Sequence, residues 1–239
     1  MLDTVHIEKR FIDGQLGLEL LQVKGTATVE DLFVPLQLAT DDASLPKREH
    51  PRRMAACAGC SNNCCRRFDI LPDLLTTLHL AKHYGLSWHD FIVQYVHWDE
   101  DSPFAEFQGR HCPFLEADLC TVYALRPAFC RFYLCVPQGE RLEKLKAQVL
   151  LLGEVALRDA LISEGLASAA QTARYRSSHA EVADWPSFNP CAKLQHYKDI
   201  LLQDCCSGRL WEWLQLPVEH TEWLSYADWC AQREASFKR

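Results

Sequence analysis

The feature that most constrains this chain is the clustering of its cysteines. Eight of the 12 cysteines fall between positions 57 and 135 of the 239 residues. They are Cys57, Cys60, Cys64, Cys65, Cys112, Cys120, Cys130 and Cys135. Thiols used only for packing would not come in close-spaced groups, and all-cysteine ligand sets suit metal centres. The spacing therefore predicts that these eight cysteines bind metal, and two tetrathiolate sites would use them all.

The local spacing of the cysteines agrees with this prediction. Cys57 and Cys60 are separated by an Ala-Gly turn that lets both sulfurs approach one metal. Cys64 and Cys65 are adjacent, so their side chains would diverge, which favours two different metal centres. The remaining cysteines lie far along the chain. Metal loss should therefore loosen the fold as well as remove any chemistry.

The composition predicts a cytoplasmic protein without a membrane segment. The first ten residues carry acidic side chains and no apolar stretch of signal-peptide length. A membrane span needs about 18 apolar residues, and no such run occurs. In a reducing cytosol, clustered cysteines favour metal binding over disulfides. A net charge of −7 makes nucleic acid an unfavourable partner.

Basic residues flank the cysteines and admit two interpretations. Those closest to them are Arg66, Arg67, Arg110, Arg126 and Arg131. A second basic group precedes the first cysteine and comprises Lys47, Arg48, Arg52 and Arg53. They could bind phosphate, but a tetrathiolate centre carries a formal charge of about −2 that guanidinium groups would offset. We favour charge compensation.

The rest of the pattern predicts an α+β fold that is mainly helical. Its parts are a small N-terminal antiparallel β meander, a metal-clamped cysteine-rich core with helices, and a helical C-terminal region. The meander comprises a strand around Val5 to Phe11 and two more at Gly17 to Lys24 and Thr26 to Val34, with a hairpin turn at Asp13-Gly14. We place domain boundaries at 1–54, 55–139 and 140–239.

Helical periodicity and capping residues predict five helices. They run from Leu74 to Gly85, from Ser87 through Tyr95, from Glu140 to Glu164, from Ala192 to Cys206 and from Glu219 to Glu234. Five of the seven tryptophans lie in the last quarter of the chain, where core packing or a partner surface would explain them. The remaining cysteines are interpreted as buried packing residues: Cys191, Cys205, Cys206 and Cys230.

The cysteine pattern as a whole resembles one family. It reads Cys57-x-x-Cys60-x-x-x-Cys64-Cys65, then Cys112-Pro-Phe-Leu115, Cys120-x-x-Tyr123, Arg126-Pro127 and Cys130-Arg131-x-Tyr133-x-Cys135. This combination resembles the YkgJ-type cysteine-cluster family, described as zinc- or iron-chelating and often labelled iron–sulfur proteins. The resemblance covers roughly residues 55 to 137 and implies ligands drawn from those eight cysteines.

Three functional hypotheses follow. The leading one is a cytosolic protein with an iron–sulfur cluster of the 4Fe-4S type, acting in electron transfer, redox sensing or support of a partner enzyme. The second is a zinc-stabilised module that binds another protein through its helical C-terminal region. The third is a metal-dependent protein-modifying enzyme, because flagellin lysine methylase carries a similar cluster. The sequence identifies no catalytic residue, and the spacing does not choose between zinc and iron.

Overall fold

A computed structural model describes residues 4–42, 44–45, 64–66, 68–100, 102, 104–109, 111–133, 135–180, 199, 201–206, 208–216 and 218. Across these residues the fold is α+β and mainly helical, with small antiparallel strand pairs, which confirms the predicted class. The predicted helix from Glu219 to Glu234, and most of the one from Ala192 to Cys206, lie outside the described residues.

The chain first forms a β-hairpin. Strand β1 (Val5–Ile12) pairs antiparallel with β2 (Gln15–Val23). The turn residues Asp13 and Gly14 have φ angles of 49° and 77°, the left-handed backbone that a two-residue hairpin requires. The predicted hairpin and its turn are confirmed.

The predicted third strand, Thr26 to Val34, is wrong. That segment enters helix α1 (Val29–Asp41). Thr28 caps the helix, because its side chain accepts from the Asp31 N–H at 3.3 Å while the Asp31 carboxylate accepts from the Thr28 N–H at 2.9 Å. This reciprocal capping box starts a helix even though β-branched residues favour a strand and an internal proline, Pro35, disfavours a helix. The N-terminal sheet is therefore a hairpin and not a meander.

The next two helices match their predictions. Helix α2 (Leu74–Tyr84) begins after Asp73, which accepts from the Thr76 N–H, and ends at Gly85 in the left-handed conformation. Helix α3 (Trp88–Tyr95) begins after Ser87, which accepts from the Asp90 N–H. Local capping and periodicity were sufficient to place both.

Short elements fill the region between α3 and the long helix that follows. Strand β3 (Val96–His97) pairs with β4 (Glu106–Phe107), and β5 (Leu115–Glu116) pairs with β6 (Leu119–Cys120). Helix α4 (Ala128–Phe132) is a single turn, and loops separate these elements. Single 3-10 turns occur at Cys64–Arg66 and Tyr123–Leu125.

The longest helix links two hydrophobic clusters. Helix α5 (Glu140–Ser163) confirms the prediction for this segment, and α6 (Ala169–Ala180), α7 (Leu202–Cys205) and α8 (Gly208–Gln215) follow it. In the part of the chain that the structure describes, no helix is both long and apolar enough to cross a membrane.

We call the two clusters the hairpin core and the aromatic core. The hairpin core combines β1, β2 and α1 with α4, the first half of α5, α7 and α8. The aromatic core combines α2, α3 and the short strands with the second half of α5. The hairpin core draws residues from all three predicted ranges, 1–54, 55–139 and 140–239, and those domain boundaries stay a prediction.

The start of α5 lies tightly against the hairpin. The Leu18 N–H donates to the Pro137 carbonyl at 2.9 Å, and the Gly139 N–H donates to the Leu18 carbonyl at 2.8 Å. A side chain at Gly17 would collide with the Pro137 backbone, and one at Gly139 would collide with the Glu19 carboxylate. Glycine at these two positions lets the end of the cysteine-rich segment pair with β2.

Candidate metal centre

The geometry of the site begins with Cys65 and Cys112. Cys65 lies on the 3-10 turn at Cys64–Arg66, and its carbonyl accepts from the Cys112 N–H at 3.2 Å. The two thiols are also hydrogen-bonded to each other, which lowers the pKa of Cys112 against the opposing effect of burial. Residues 47 positions apart are therefore joined by both backbone and sulfur contacts.

The β5–β6 hairpin brings in Cys120. Leu115 pairs with Cys120 across the hairpin, and the Leu115 N–H donates to the Cys112 carbonyl at 3.1 Å. The turn residues Ala117 and Asp118 have φ angles of 45° and 64°, which closes the hairpin tightly. The seven residues between Cys112 and Cys120 thus fold back on themselves.

Helix α4 brings in Cys130. Pro127 precedes the helix with its φ fixed at −55°, a residue that favours the first turn. Cys130 and Cys120 also interact electrostatically with Cys112, in the direction that raises its pKa. Cys65 is thus hydrogen-bonded to Cys112, and Cys112, Cys120 and Cys130 all border the aromatic core.

The other predicted ligands are not brought into this group by the described contacts. Cys57 and Cys60 lie outside the described residues, as does the side chain of Cys64. Cys135 is half-buried shortly after α4. Within the described ranges, no group of three or more His, Cys, Asp or Glu side chains has a geometry ready to hold a metal ion. The eight-cysteine ligand set and its division into two sites stay predictions.

The donor set nevertheless fits a metal. The four grouped side chains are sulfur donors, which suit zinc and iron equally well. The charges of Cys120 and Cys130 disfavour ionisation of Cys112, so several thiolates at this place repel one another. A bound cation would offset that repulsion and hold the thiols deprotonated.

Three arginines connect the cysteine segments. Arg66 beside Cys65 forms an ion pair with Asp118 at 2.8 Å, which joins the 3-10 turn to the β5–β6 turn. Arg131 follows Cys130, and the two interact electrostatically in the direction that stabilises the guanidinium. This attraction agrees with charge compensation, although burial and the neighbouring Arg126 lower the pKa of Arg131.

Gln37, which no motif or spacing singled out, receives two of these arginine contacts. Its side-chain oxygen accepts from Arg126 Nη2 and from Arg131 Nη1, both at 2.9 Å. Arg131 also donates to the carbonyls of Arg126 and Ala124. The arginines therefore tie α1 to helix α4, which carries Cys130, and to the residues just before it, across 94 residues of sequence in the case of Arg131.

Several aromatic rings pack together on the core side of the site. Phe114, two residues after Cys112, is 2% exposed. Its ring centroid lies 5.1 Å from Phe107 and 5.5 Å from Tyr95. The rings of Tyr84 and Phe91 stack within 6.4 Å of it. This packing fixes the loop between Cys112 and Cys120 from the core side.

Two cysteines outside the group behave differently. Cys205 and Cys206 are 2% and 3% exposed in the hairpin core. Burial raises the pKa of Cys206 to about 12, so this thiol stays protonated. Both are packing residues in the structure. Cys191 and Cys230 lie outside the described residues.

The fold and the grouped thiols define a class, a cysteine-rich metal-chelating domain on an α+β scaffold. The comparison with known families gives the same class. Residues 56–149 match the family model CxxCxxCC, described as "Putative zinc- or iron-chelating domain". This segment, less than half of the chain, is similar to that cysteine-cluster family and contains the motifs that suggested it. No curated protein and no solved structure matches the chain.

Proposed function

We propose that the protein is a cytoplasmic iron–sulfur protein that exchanges electrons with, or senses redox state for, a partner enzyme. The observation that carries the proposal is the contact of Cys65 with Cys112, together with the position of Cys112, Cys120 and Cys130 along the border of the aromatic core. Four thiolates are the ligand set of both [2Fe–2S] and [4Fe–4S] clusters. The family description, zinc- or iron-chelating, is compatible with this assignment.

The exposure of the thiols supports a redox role. Each of the four is half-buried, in contrast to the fully buried Cys205 and Cys206. A cluster at this depth is shielded on its core side and near the surface on the other, which suits electron exchange.

The other four cysteines of the motif complete the proposal. Cys64 is adjacent to Cys65, so its sulfur would face a different centre. We assign it to a second site with Cys57, Cys60 and Cys135. All eight sulfurs are then used, and the two centres share the backbone of one short turn.

The test is anaerobic reconstitution of the full chain with iron and sulfide. We expect brown protein with broad absorption near roughly 400 nm, bleached by dithionite, and acid-labile sulfide in proportion to iron. Cys112→Ser should remove most of the absorption of one centre, whereas Cys205→Ala should leave the spectrum unchanged. Colourless protein that keeps stoichiometric zinc after reconstitution would refute the iron–sulfur assignment.

A zinc-stabilised interaction module is the second candidate, because the family description names zinc as well as iron. Its partner would be another protein, bound through the helical C-terminal region. Leu216, 46% exposed just after α8, is compatible with such a surface. A protein-modifying enzyme would need an open coordination position. Adding cyanide to the iron-loaded protein would reveal such a position as a change in the absorption spectrum.

A further inference from the structure

A groove next to the cysteine group lies between α1, α2 and the segment that leads into α4. Its volume is about 360 Å³, at the lower end of the range for small-molecule sites. Its walls are largely apolar. Val34 and Leu38 on α1 line it while 51% and 69% exposed, and Leu75 and Leu125 face them from α2 and the 3-10 turn.

One end of this groove is strongly cationic. Arg126 and Arg131 both line it, and both donate to the single neutral oxygen of Gln37. The guanidinium of Arg126 also lies 4.0 Å from the centre of the Tyr123 ring, which orients its plane. Two like charges are thus held side by side by a neutral acceptor.

The described residues supply no carboxylate in an ion pair with either arginine. The charge of Asp73 acts on Arg131, but the Asp73 oxygens accept from the Thr76 N–H and hydroxyl and from the Ala128 N–H. Arg126 is only 4% exposed, and its Nε is buried without a hydrogen-bond partner among the described residues. A buried unpaired donor is costly, so an arriving acceptor would gain from meeting it.

We propose that this groove binds a small molecule with a carboxylate head and an apolar body. The head would lie against Arg126 and Arg131, because guanidinium forks pair with carboxylates through two parallel hydrogen bonds. The apolar body would cover Val34 and Leu38. Glu30 lies seven residues before Gln37 on α1, about 10 Å away along the helix, and its charge keeps the anionic head at the arginine end.

The probe is octanoate, titrated calorimetrically into the full chain with its metal bound. Octanol and octylamine provide a neutral and a cationic head on the same apolar chain. We expect octanoate to bind at least about tenfold more tightly than either, since a hydrogen bond to a charged group is worth that much. Equal affinity for octanoate and octanol would overturn the proposal.

A matched pair of surface variants locates the site. Val34→Asp places a negative charge on the groove wall, whereas Val93→Asp places one on α3, where Val93 is 59% exposed and does not line the groove. We expect Val34→Asp to weaken octanoate binding at least about fivefold and Val93→Asp to leave it unchanged. Equal weakening by both would place the binding elsewhere and refute the groove.

Arg126→Gln tests the head group directly and should abolish the preference for octanoate over octanol. Because Arg126 is buried, its folding is checked by circular dichroism. If the variant does not fold, Arg131→Gln, at a more accessible position, replaces it with the same expectation. A folded variant of either arginine that keeps the full preference contradicts the proposal. The binding readout does not depend on whether the cysteine site holds zinc or iron.

Discussion

The two cores of this protein are stabilised in different ways. The hairpin core is aliphatic, with Leu20, Leu32 and Leu142 fully buried, and its two cysteines are fully buried packing residues. The aromatic core is built on stacked rings, and three half-buried cysteines of the candidate metal centre, Cys112, Cys120 and Cys130, border it. Helix α5 enters both, through Leu142 to Leu152 in the first and Ala156 to Leu161 in the second.

This contrast indicates where metal matters for stability. The hairpin core is formed mainly by apolar burial, which stabilises it without a metal. The segments around Cys65, Cys112 and Cys120 have little regular structure, only short turns and two-residue strands. Short elements of this kind are marginal by themselves. The aromatic core should therefore depend on the metal more than the hairpin core does.

The largest expected effect is loss of metal on Cys112→Ser. Removing one of four thiolates should lower metal content at that centre by most of its occupancy and lower the unfolding free energy by several kcal/mol, of the order found when a structural ligand is lost. Hydrogen exchange should accelerate in α2, α3 and the second half of α5, and much less in β1 and β2. Elemental analysis and exchange mass spectrometry measure both.

Cys205→Ala is the control for this variant. It removes a buried thiol from the hairpin core, where no described contact links it to the metal centre. Metal content should stay unchanged and any loss of protection should be confined to the hairpin core. Uniform loss of protection across both cores in Cys112→Ser would contradict the division drawn above.

The second prediction compares two buried phenylalanines. Phe114 and Phe132 are each 2% exposed, but Phe114 contacts four aromatic rings, whereas Phe132 lies 5.7 Å from the ring of Phe33. Truncation to Ala costs about 3–5 kcal/mol in each case, and each aromatic pair adds about 0.5–1.5 kcal/mol. Urea denaturation should show Phe114→Ala as the more destabilised. A larger loss for Phe132→Ala would show that the aromatic stacking contributes little.

The third prediction concerns Glu154, which lies on α5 between the two cores. Burial raises its pKa from 4.5 to about 7, against the attraction of Arg158 and a hydrogen bond from the Ala105 N–H, while Asp159 raises it further. The folded chain thus retains a proton that the unfolded chain releases between these values. The protonated Glu154 side chain therefore contributes roughly 1–3 kcal/mol to the free energy of unfolding below pH 4.5, and this contribution is lost as the pH rises through 7.

Glu154→Gln should remove this dependence, because glutamine cannot ionise. Urea unfolding at about pH 5 and about pH 8 gives the slope in both proteins. Cys112 is unchanged in the variant, so metal content serves as the check that the site is intact. A slope of the same size in the variant would assign the pH dependence to other groups.

The elements that the sequence predicted correctly are those with local signals. Gly85 and Ser87 mark the end of α2 and the start of α3, and the Asp13-Gly14 turn requires left-handed backbone that these residues adopt readily. The cysteine positions were evident because thiol spacing is itself the signal. In each case the residues that determine the outcome are close together in the chain.

The parts that the sequence did not predict depend either on residues far apart in the chain or on a helix-capping signal that was given less weight than nearby β-branched residues. The groove and the arginine pair depend on Gln37, which lies 89 and 94 positions from its two donors. The grouping of Cys65 with Cys112 depends on tertiary backbone contacts that no spacing rule contains. Helix α1 was misassigned because Val29 and Val34 favour strands, while the Thr28-x-x-Asp31 box that starts the helix was present in the sequence.

The smallest expected effect tests that capping box and returns to the comparison of the two cores. Thr28→Ala should cost about 1 kcal/mol, because it leaves the Asp31 N–H without its acceptor at the start of the helix that packs into the hairpin core. Ser87→Ala is the matched change at the start of α3 in the aromatic core. The two caps differ in one bond. The Thr28 N–H donates to the Asp31 carboxylate, whereas at the second cap the Ser87 hydroxyl donates to the Asp90 carboxylate at 2.6 Å.

Hydrogen exchange should accelerate around α1 in Thr28→Ala and around α3 in Ser87→Ala, with metal content unchanged in Thr28→Ala. Metal loss in Thr28→Ala would mean that α1, through Gln37, supports the cysteine site more strongly than two separately stabilised cores allow.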